Sequence, residues 1–389
     1  MSGTSDAVNV RTRDEHLFGE GPKRLLALDG GGVRGALTLG YLARIETILR
    51  DRHGGDPEFR LCDYFDLIGG TSTGSIIATA LAMGFAVDDL VVLYRSLGDK
   101  VFDKGILRFG LLGAKFPKEP LLDALDRHFG DATLGGDELR TGLMVMTKRL
   151  DTGSPWLLHN NPRGKYFDGD GESYPNRDLL LRNVVRASTA APHYFEPEML
   201  RLAPEVAGAF VDGGVSPYNN PALQMLMLAT CSGYGLNWAF GADNLLLVSA
   251  GTGMRPLQMP AAEVMKMPAV LLAAQSMLSI MADANWLGQA VLQWISTSPT
   301  SWQIDGEVGD LRADRLGGGP DMITYQRYEV VLEPTWLRAT LGWHLDESQC
   351  DALYAMDNPR NLSQLSRLGV AAAAKQVAPD HFPRVFDLS

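Results

Sequence analysis

An α/β fold, with a largely parallel sheet covered by helices, is what this sequence predicts. Strand-like apolar runs alternate with helix-like segments through most of the chain, the order that a parallel sheet requires. Two strand-to-helix junctions, "LDGGGVRGAL" and "IGGTSTGSII", are glycine-rich turns. With 46% hydrophobic and 21% charged residues over 389 positions, the composition fits a soluble globular protein with a large core.

The leader "MSGTSDAVNVRTRDEHLFGEG" has no basic stretch followed by an apolar one, so it carries no visible secretory signal, and residues 1–21 are expected to form a partly ordered tail. Residues 22–389 then read as a single domain with helical insertions, because no internal repeat or long linker interrupts them. "RLLALDG" is a strand candidate and "GALTLGYLARIETILRDR" the amphipathic helix after it. "YFDLIGG" is the next strand, followed by the apolar helix "GSIIATALAMG". "DDLVVLYRSLGDKVF" and "EPLLDALDRHFG" space their Leu, Val and aromatic residues as surface helices do. "GLMVMTKRLD", "NLLLVSAGTG" and "ITYQRYEVVL" are further strands, and "DLRADRLGGGPDM" a loop. The methionine-rich stretch from Pro256 to about Ile295 and the segment "LSQLSRLGVAAAAKQVA" are helical.

A net charge of −11 argues against a nucleic-acid partner, which selects a basic footprint. It argues equally against simple electrostatic attachment to anionic lipid. The three cysteines, Cys62, Cys231 and Cys350, are too scattered for a zinc site or a disulfide framework and fit a reducing compartment. No window of about 18 uninterrupted apolar residues marks a transmembrane helix. A cytoplasmic location is the default expectation.

A strand, a glycine loop and a helix form an anion cradle, and "DGGGVRG" offers one for either a nucleotide phosphate or a transient oxyanion. The nucleotide reading fails in detail: there is no G-x-x-x-x-G-K-[ST], and no G-x-G-x-x-G with an acidic residue about 20 positions on. The second junction fits the nucleophile-elbow pattern G-x-S-x-G at Gly70-Thr71-Ser72-Thr73-Gly74. A serine on so sharp a turn is pushed out over the sheet edge, and glycines two residues either side let neighbouring chain pass without a Cβ clash.

Such a serine needs a base and an oxyanion hole. Of the seven histidines only His193, in "ASTAAPHYFEP", lies in a loop that could face a pocket. The stronger candidate is Asp212 in "FVDGGVSPYNNPA", at the end of a short apolar run and followed by Gly213 and Gly214. Serving as a base would require desolvation, since an ordinary Asp titrates near ~3.9.

These stretches, in this order, resemble the patatin-like phospholipases, a family of lipid acyl hydrolases. "DGGGVRG" (Asp29–Gly35) is similar to the family's oxyanion loop, "GTSTG" to its serine elbow and "DGG" (Asp212–Gly214) to its dyad motif. "ASTAAPHYFEP", "VSAGTG" and "YQRYEVVL" sit where such proteins carry similar segments, so the resemblance spans roughly residues 22–380. It implies a three-layer α/β/α patatin-like fold and a Ser72–Asp212 dyad without histidine. Backbone N–H groups of Gly30, Gly31, Gly32, Val33, Arg34 and Gly35 would hold the oxyanion, with Arg34 adding positive charge nearby. It implies no metal ion and no cofactor. The substrate would be a phospholipid or another acyl-ester lipid, met through peripheral membrane contact. A triacylglycerol lipase, a general esterase, an acyltransferase and a non-catalytic lipid-binding scaffold are the alternatives.

Two segments are candidates for meeting lipid. The first, "VLLAAQSMLSIMADANWLGQAVLQWI", holds Met277, Met281, Trp286 and Trp294, but a helix apolar all round is expected to be internal. The second, "VFDKGILRFGLLGAKFPKEP", interleaves Lys104, Arg108, Lys115 and Lys118 with Phe102, Phe109, Leu111, Leu112 and Phe116, and reads equally as a pocket lid or interfacial flap and as a simple surface loop.

Overall fold

The structure, a computed structural model, describes residues 11–101, 116–256 and 259–388. Most of the expected basic and apolar flap, from Phe102 through Lys115, lies outside the described residues.

The described strands join one sheet: β1 (Lys23–Leu28), β2 (Leu67–Thr71), β3 (Gly142–Arg149), β4 (Ser154–His159), β5 (Glu198–Ala203), β6 (Val206–Asp212), β7 (Leu245–Ala250), β8 (Ser296–Thr297) and β9 (Ile323–Tyr328). Their spatial order is β5-β6-β3-β2-β1-β7-β9-β8, with β4 also paired to β3. From β3 through β8 every neighbour pair is parallel; β4, β5 and β6 enter antiparallel. Side chains alternate across a strand, and here both faces are covered. Leu26 and Leu28 of β1 join Leu246 and Val248 of β7 in a core with the Gly35–Arg52, Thr73–Ala82 and Leu362–Gln376 helices. Leu25, Ala27, Leu245 and Leu247 face the other way, onto the Ala222–Thr230 helix, Trp238 and Tyr325. The result is the three-layer α/β/α arrangement.

The antiparallel excursion has a geometric consequence. β2 pairs with β3 over Gly142–Met146, β4 over Met144–Arg149, and β6 over Thr147–Arg149. A strand has only two edges, so β2 and β6 must share one edge of β3, end to end. Thr71 lies opposite Met146 and Asp212 opposite the next residue, Thr147. The residue after Thr71 is Ser72.

The leader is more structured than expected. Thr12 and Glu15 form a capping box for the Arg13–Phe18 helix. His16 is buried with Nδ1 2.9 Å from Asp66 Oδ1, and Leu17 joins the core. Packed structure is therefore already present about ten residues before the 21/22 boundary read from sequence. The long Ala269–Trp294 helix also departs from expectation. Its C-terminal end is buried through Leu292 and Gln293, but Val270, Leu271, Ile280 and Leu287 are exposed, so it is not a core helix. Among the described residues no helix is long and apolar enough to cross a membrane.

One buried ionic cluster ties the far end of the chain to the first glycine turn. Arg327 on β9 donates to both oxygens of Asp29 (2.9 and 2.7 Å), to Glu329 Oε2 (2.6 Å) and to Ser249 Oγ (2.7 Å). Burial pushes the Asp29 and Glu329 carboxyls upward, and Arg327 pulls them back. Removing the cation leaves two buried acids facing each other. Arg327→Met is therefore expected to cost about 3–5 kcal/mol at pH 8 in urea unfolding. The loss should shrink toward pH 5, where the orphaned carboxyls, with folded pKa values above their unfolded ones, can take up protons. A pH-independent loss would contradict this account.

Candidate active site

Ser72 leaves β2 with φ 53° and ψ −124°, a conformation that side chains rarely adopt, and the Thr73–Ala82 helix begins at the next residue. The glycines beside it answer to close approach. A Cβ at Gly70 would overlap the Gly74 carbonyl, and one at Gly74 would overlap the carbonyls of Leu28 and Asp29. The elbow is further pinned by Ser188: its Oγ accepts from Ser72 N–H (2.8 Å) and donates to Met146 O (2.7 Å).

Ser72 Oγ donates to Asp212 Oδ2 at 2.5 Å, while Gly214 N–H donates to Asp212 Oδ1 at 2.7 Å. Asp212 is buried, which raises its carboxyl to about 6; the bonds from Ser72 and Gly214, and the more distant charge of Arg186, pull the other way. The pair sequence reasoning brought together is thus in direct contact.

The glycine loop lies across from this pair. Gly30 N–H donates to Asn219 O (3.2 Å), Val33 N–H to Met356 O (2.9 Å), Arg34 N–H to Gly31 O (3.2 Å), and Gly35 N–H back to Gly32 O and Val33 O. Of the six loop positions expected to supply donors, only Gly31 and Gly32 keep N–H groups with no acceptor among the described residues. Their orientation follows from the planar trans peptide, in which C=O and the next N–H point in opposite directions. Thr252 Oγ1 holds Gly30 O at 2.9 Å, turning Gly31 N–H the other way; Arg34 Nε holds Gly31 O at 3.3 Å and does the same for Gly32 N–H. Both glycines line a cavity of about 290 Å³ together with Ser72 and Asp212.

Arg34 itself is placed differently from the expectation of a free charge beside the ester. Its guanidinium is buried, donates to Gly31 O and to Gly253 O (2.5 Å), and stacks 4.2 Å from the Tyr354 ring centre. It shapes the loop and does not line the cavity.

The rest of the cavity is mostly apolar, with Val33, Ile76, Leu121, Phe195, Met281, Met356 and Leu362 among its walls. No histidine is among the described lining residues; His193 is exposed at φ 73°, while its neighbours Pro192 and Tyr194 line the cavity. Among the described residues no group of three His, Cys, Asp or Glu is placed to hold a metal ion. Sequence reasoning missed Asn219, whose backbone O and side chain both meet Gly30, although it lies seven residues after Asp212 in the same quoted stretch. It also missed Ser188, Thr252 and Met356, whose hydrogen bonds are made across the fold and leave no local pattern.

The model of the family described as patatin-like phospholipase matches residues 26–226, from β1 through the Ala222–Thr230 helix. A Vibrio cholerae protein named cGAMP-activated phospholipase is 32% identical over 218 residues, 54% of this chain and 57% of its own length. A cUMP-AMP-activated phospholipase of Escherichia coli is 30% identical, over 61% of this chain and 67% of its own. Patatin group J-1 of Solanum tuberosum is 25% identical, over 59% and 60%. The matched part of the chain thus spans little more than half of the Vibrio and potato proteins. The family model covers the elbow, the glycine loop and the Asp212 turn together, and the chain belongs to the patatin-like phospholipase family.

Proposed function

We propose that the protein is a lipid acyl hydrolase of the phospholipase A type, cleaving carboxylic esters of membrane lipids through a Ser72–Asp212 dyad. The observation that carries this reading is the 2.5 Å hydrogen bond from Ser72 Oγ to a buried carboxylate, made at a strained elbow beside two unoccupied glycine N–H groups.

In the reaction, Ser72 Oγ attacks the ester carbonyl carbon as its proton passes to Asp212 Oδ2. The carbonyl oxygen becomes an oxyanion that Gly31 and Gly32 N–H can hold without reorganising. Asp212 returns the proton to the departing alkoxide, a lysophospholipid, leaving an acyl-Ser72 ester. Water deprotonated by Asp212 then attacks that ester and frees the fatty acid and Ser72. The apolar walls suit an acyl chain. A carboxyl raised to about 6 is ionised at neutral pH and more basic than an ordinary Asp. Peripheral contact with a membrane belongs to the same reading. Two relatives are named for activation by cyclic nucleotides, so cGAMP and cUMP-AMP are the effectors to add to the assay.

Ser72→Ala and Asp212→Asn should each lower phospholipid hydrolysis at least about 10³-fold, measured as free fatty acid by mass spectrometry. Substantial turnover by purified Ser72→Ala overturns the assignment. For the wild type, kcat/KM should rise with pH through about 6 and level off above it, because the base must be ionised.

The same burial has a stability consequence of opposite sign. A carboxyl whose folded pKa is raised favours the fold only while protonated, so wild-type stability falls as pH rises from about 4 toward the folded value of about 6. Asp212→Asn removes that charge. It should stabilise the protein by about 2–3 kcal/mol at pH 8 and by much less at pH 4.5, read from urea midpoints. Equal effects at the two pH values would contradict the raised carboxyl.

A further inference from the structure

The Ala269–Trp294 helix poses a problem that its sequence alone did not. Its 26 residues at 1.5 Å rise make it about 40 Å long, and among its described side chains the buried ones, Gln289, Leu292 and Gln293, all lie in the C-terminal turns. There Leu292 and Gln293 are buried, and Gln293 Nε2 donates to Trp302 O (2.8 Å) and Asp310 O (3.1 Å). Toward the N-terminus the consecutive residues Val270, Leu271 and Leu272 are all exposed, Val270 by 81%, so no single side of that turn is covered. Ile280 and Leu287 are each 66% exposed, and Met265, in the turn before the helix, 85%. Isolated exposed aliphatics such as Ile280 and Leu287 need no explanation, but the successive run Val270-Leu271-Leu272, with exposed Met265 before it, marks an interaction surface at the N-terminal end of the helix.

Two further observations identify what the surface meets. The first is position: Met281, on this helix, also lines the cavity that holds Ser72. Met281 is also partly exposed, so the outer surface of the helix is continuous with a wall of that cavity. The second is charge. Residues 259–294 carry only Glu263, Lys266 and Asp283 as charged side chains, on a protein of net charge −11. Within the helix and the turn before it, Lys266 is the one cation that could attract anionic headgroups, and three charges are few with which to register a protein partner. The surface's chemistry matches the neutral headgroup and acyl boundary of a zwitterionic bilayer.

We propose that the Ala269–Trp294 helix and the turn before it form the surface by which this protein seats on a zwitterionic lipid bilayer, bringing the mouth of the Ser72 cavity to the acyl-ester level. This rests on the reading of the site as a lipid acyl hydrolase. Each exposed aliphatic that enters the boundary leaves water, so attachment is apolar in origin and insensitive to salt.

The test is flotation with phosphatidylcholine vesicles, using Ser72→Ala protein so that turnover does not alter the lipid. Against that background, Val270→Ser/Leu271→Ser/Ile280→Ser should weaken vesicle partitioning at least tenfold, and 0.5 M NaCl should leave the parent's partitioning unchanged. In the active protein the same triple change should lower vesicle hydrolysis in proportion and leave kcat/KM on a monomeric short-chain ester unaltered. A second variant guards against misfolding: Leu271→Cys in a Cys231→Ser background, labelled with an environment-sensitive dye, should brighten and shift to the blue on adding vesicles. Undiminished flotation of the triple variant, or no dye response, overturns the proposal. So does a lipid-free dimer that the triple change splits into monomers while flotation persists, since the face would then be a contact between copies. The two readings fail separately. Protein that floats but cleaves no ester sinks the hydrolase and leaves the docking surface, whereas an active esterase that ignores vesicles does the reverse.

Discussion

The register of β3 is the constraint on which the site depends. Because β2 and β4 occupy its two edges over Met144–Met146, β6 can pair only beyond the end of β2. Ser72 and Asp212, 140 residues apart in sequence, are thereby delivered to adjacent positions along one strand. A slip of one residue would send every side chain of the moved strand to the opposite face, so the core on either side of the sheet enforces the pairing. The Ser188 hydroxyl bridges the same register, reaching Met146 O on β3 and Ser72 N–H on the elbow. The strained dihedrals of Ser72 persist because backbone, helix start and sheet all specify them at once.

The glycine loop is held by a different logic, through its carbonyls. Thr252 and Arg34 take the C=O groups of Gly30 and Gly31, and the planar peptides then present the N–H groups on the other side. Behind these anchors stands Arg327, which binds Asp29 at the start of the loop and, through Glu329, reaches Gly253 N–H at 2.7 Å. The chain that closes the loop's far side thus comes from β7 and β9, and Met356 adds a backbone acceptor for Val33 from later still. In the mechanism proposed above, the loop's preorganisation is the sum of interactions made by residues that never touch the reacting atoms.

Much of this was legible in the sequence, for physical reasons. Ser72 and Asp212 announce themselves because their local surroundings, strand then glycine then helix or turn, are required by sterics wherever they occur. The parallel strands were readable because burial on both faces makes them continuous apolar runs, as in "RLLALDG" and "NLLLVSAGTG". β4, β5 and β8 were not, since Ser154–His159 and Glu198–Ala203 are half-exposed and Ser296–Thr297 is only two residues long. Arg34 misled because its charge is visible in sequence while its acceptors, carbonyls of Gly31 and Gly253, are not. The Ala269–Trp294 helix misled for a related reason: apolar composition reports a preference for leaving water, not which apolar medium receives the helix.

Two buried aspartates show how neighbours set different fates for the same burial. Asp29 and Asp212 are both deeply buried, and burial alone raises the carboxyl of each. Asp29 meets a guanidinium at both oxygens, so its charge is neutralised in place and it serves as an anchor. Among the described residues Asp212 accepts from a hydroxyl and an amide N–H, with Arg186 turned to Glu196 O. A cation in contact with Asp212 would stabilise its ionised form and lower its basicity, leaving Ser72 without an effective proton acceptor. The fold therefore keeps the nearest guanidinium out of contact and leaves the carboxylate charged but incompletely satisfied. That incomplete satisfaction destabilises the folded chain and, in the mechanism proposed above, gives the serine its base, so the two effects cannot be engineered apart at this position.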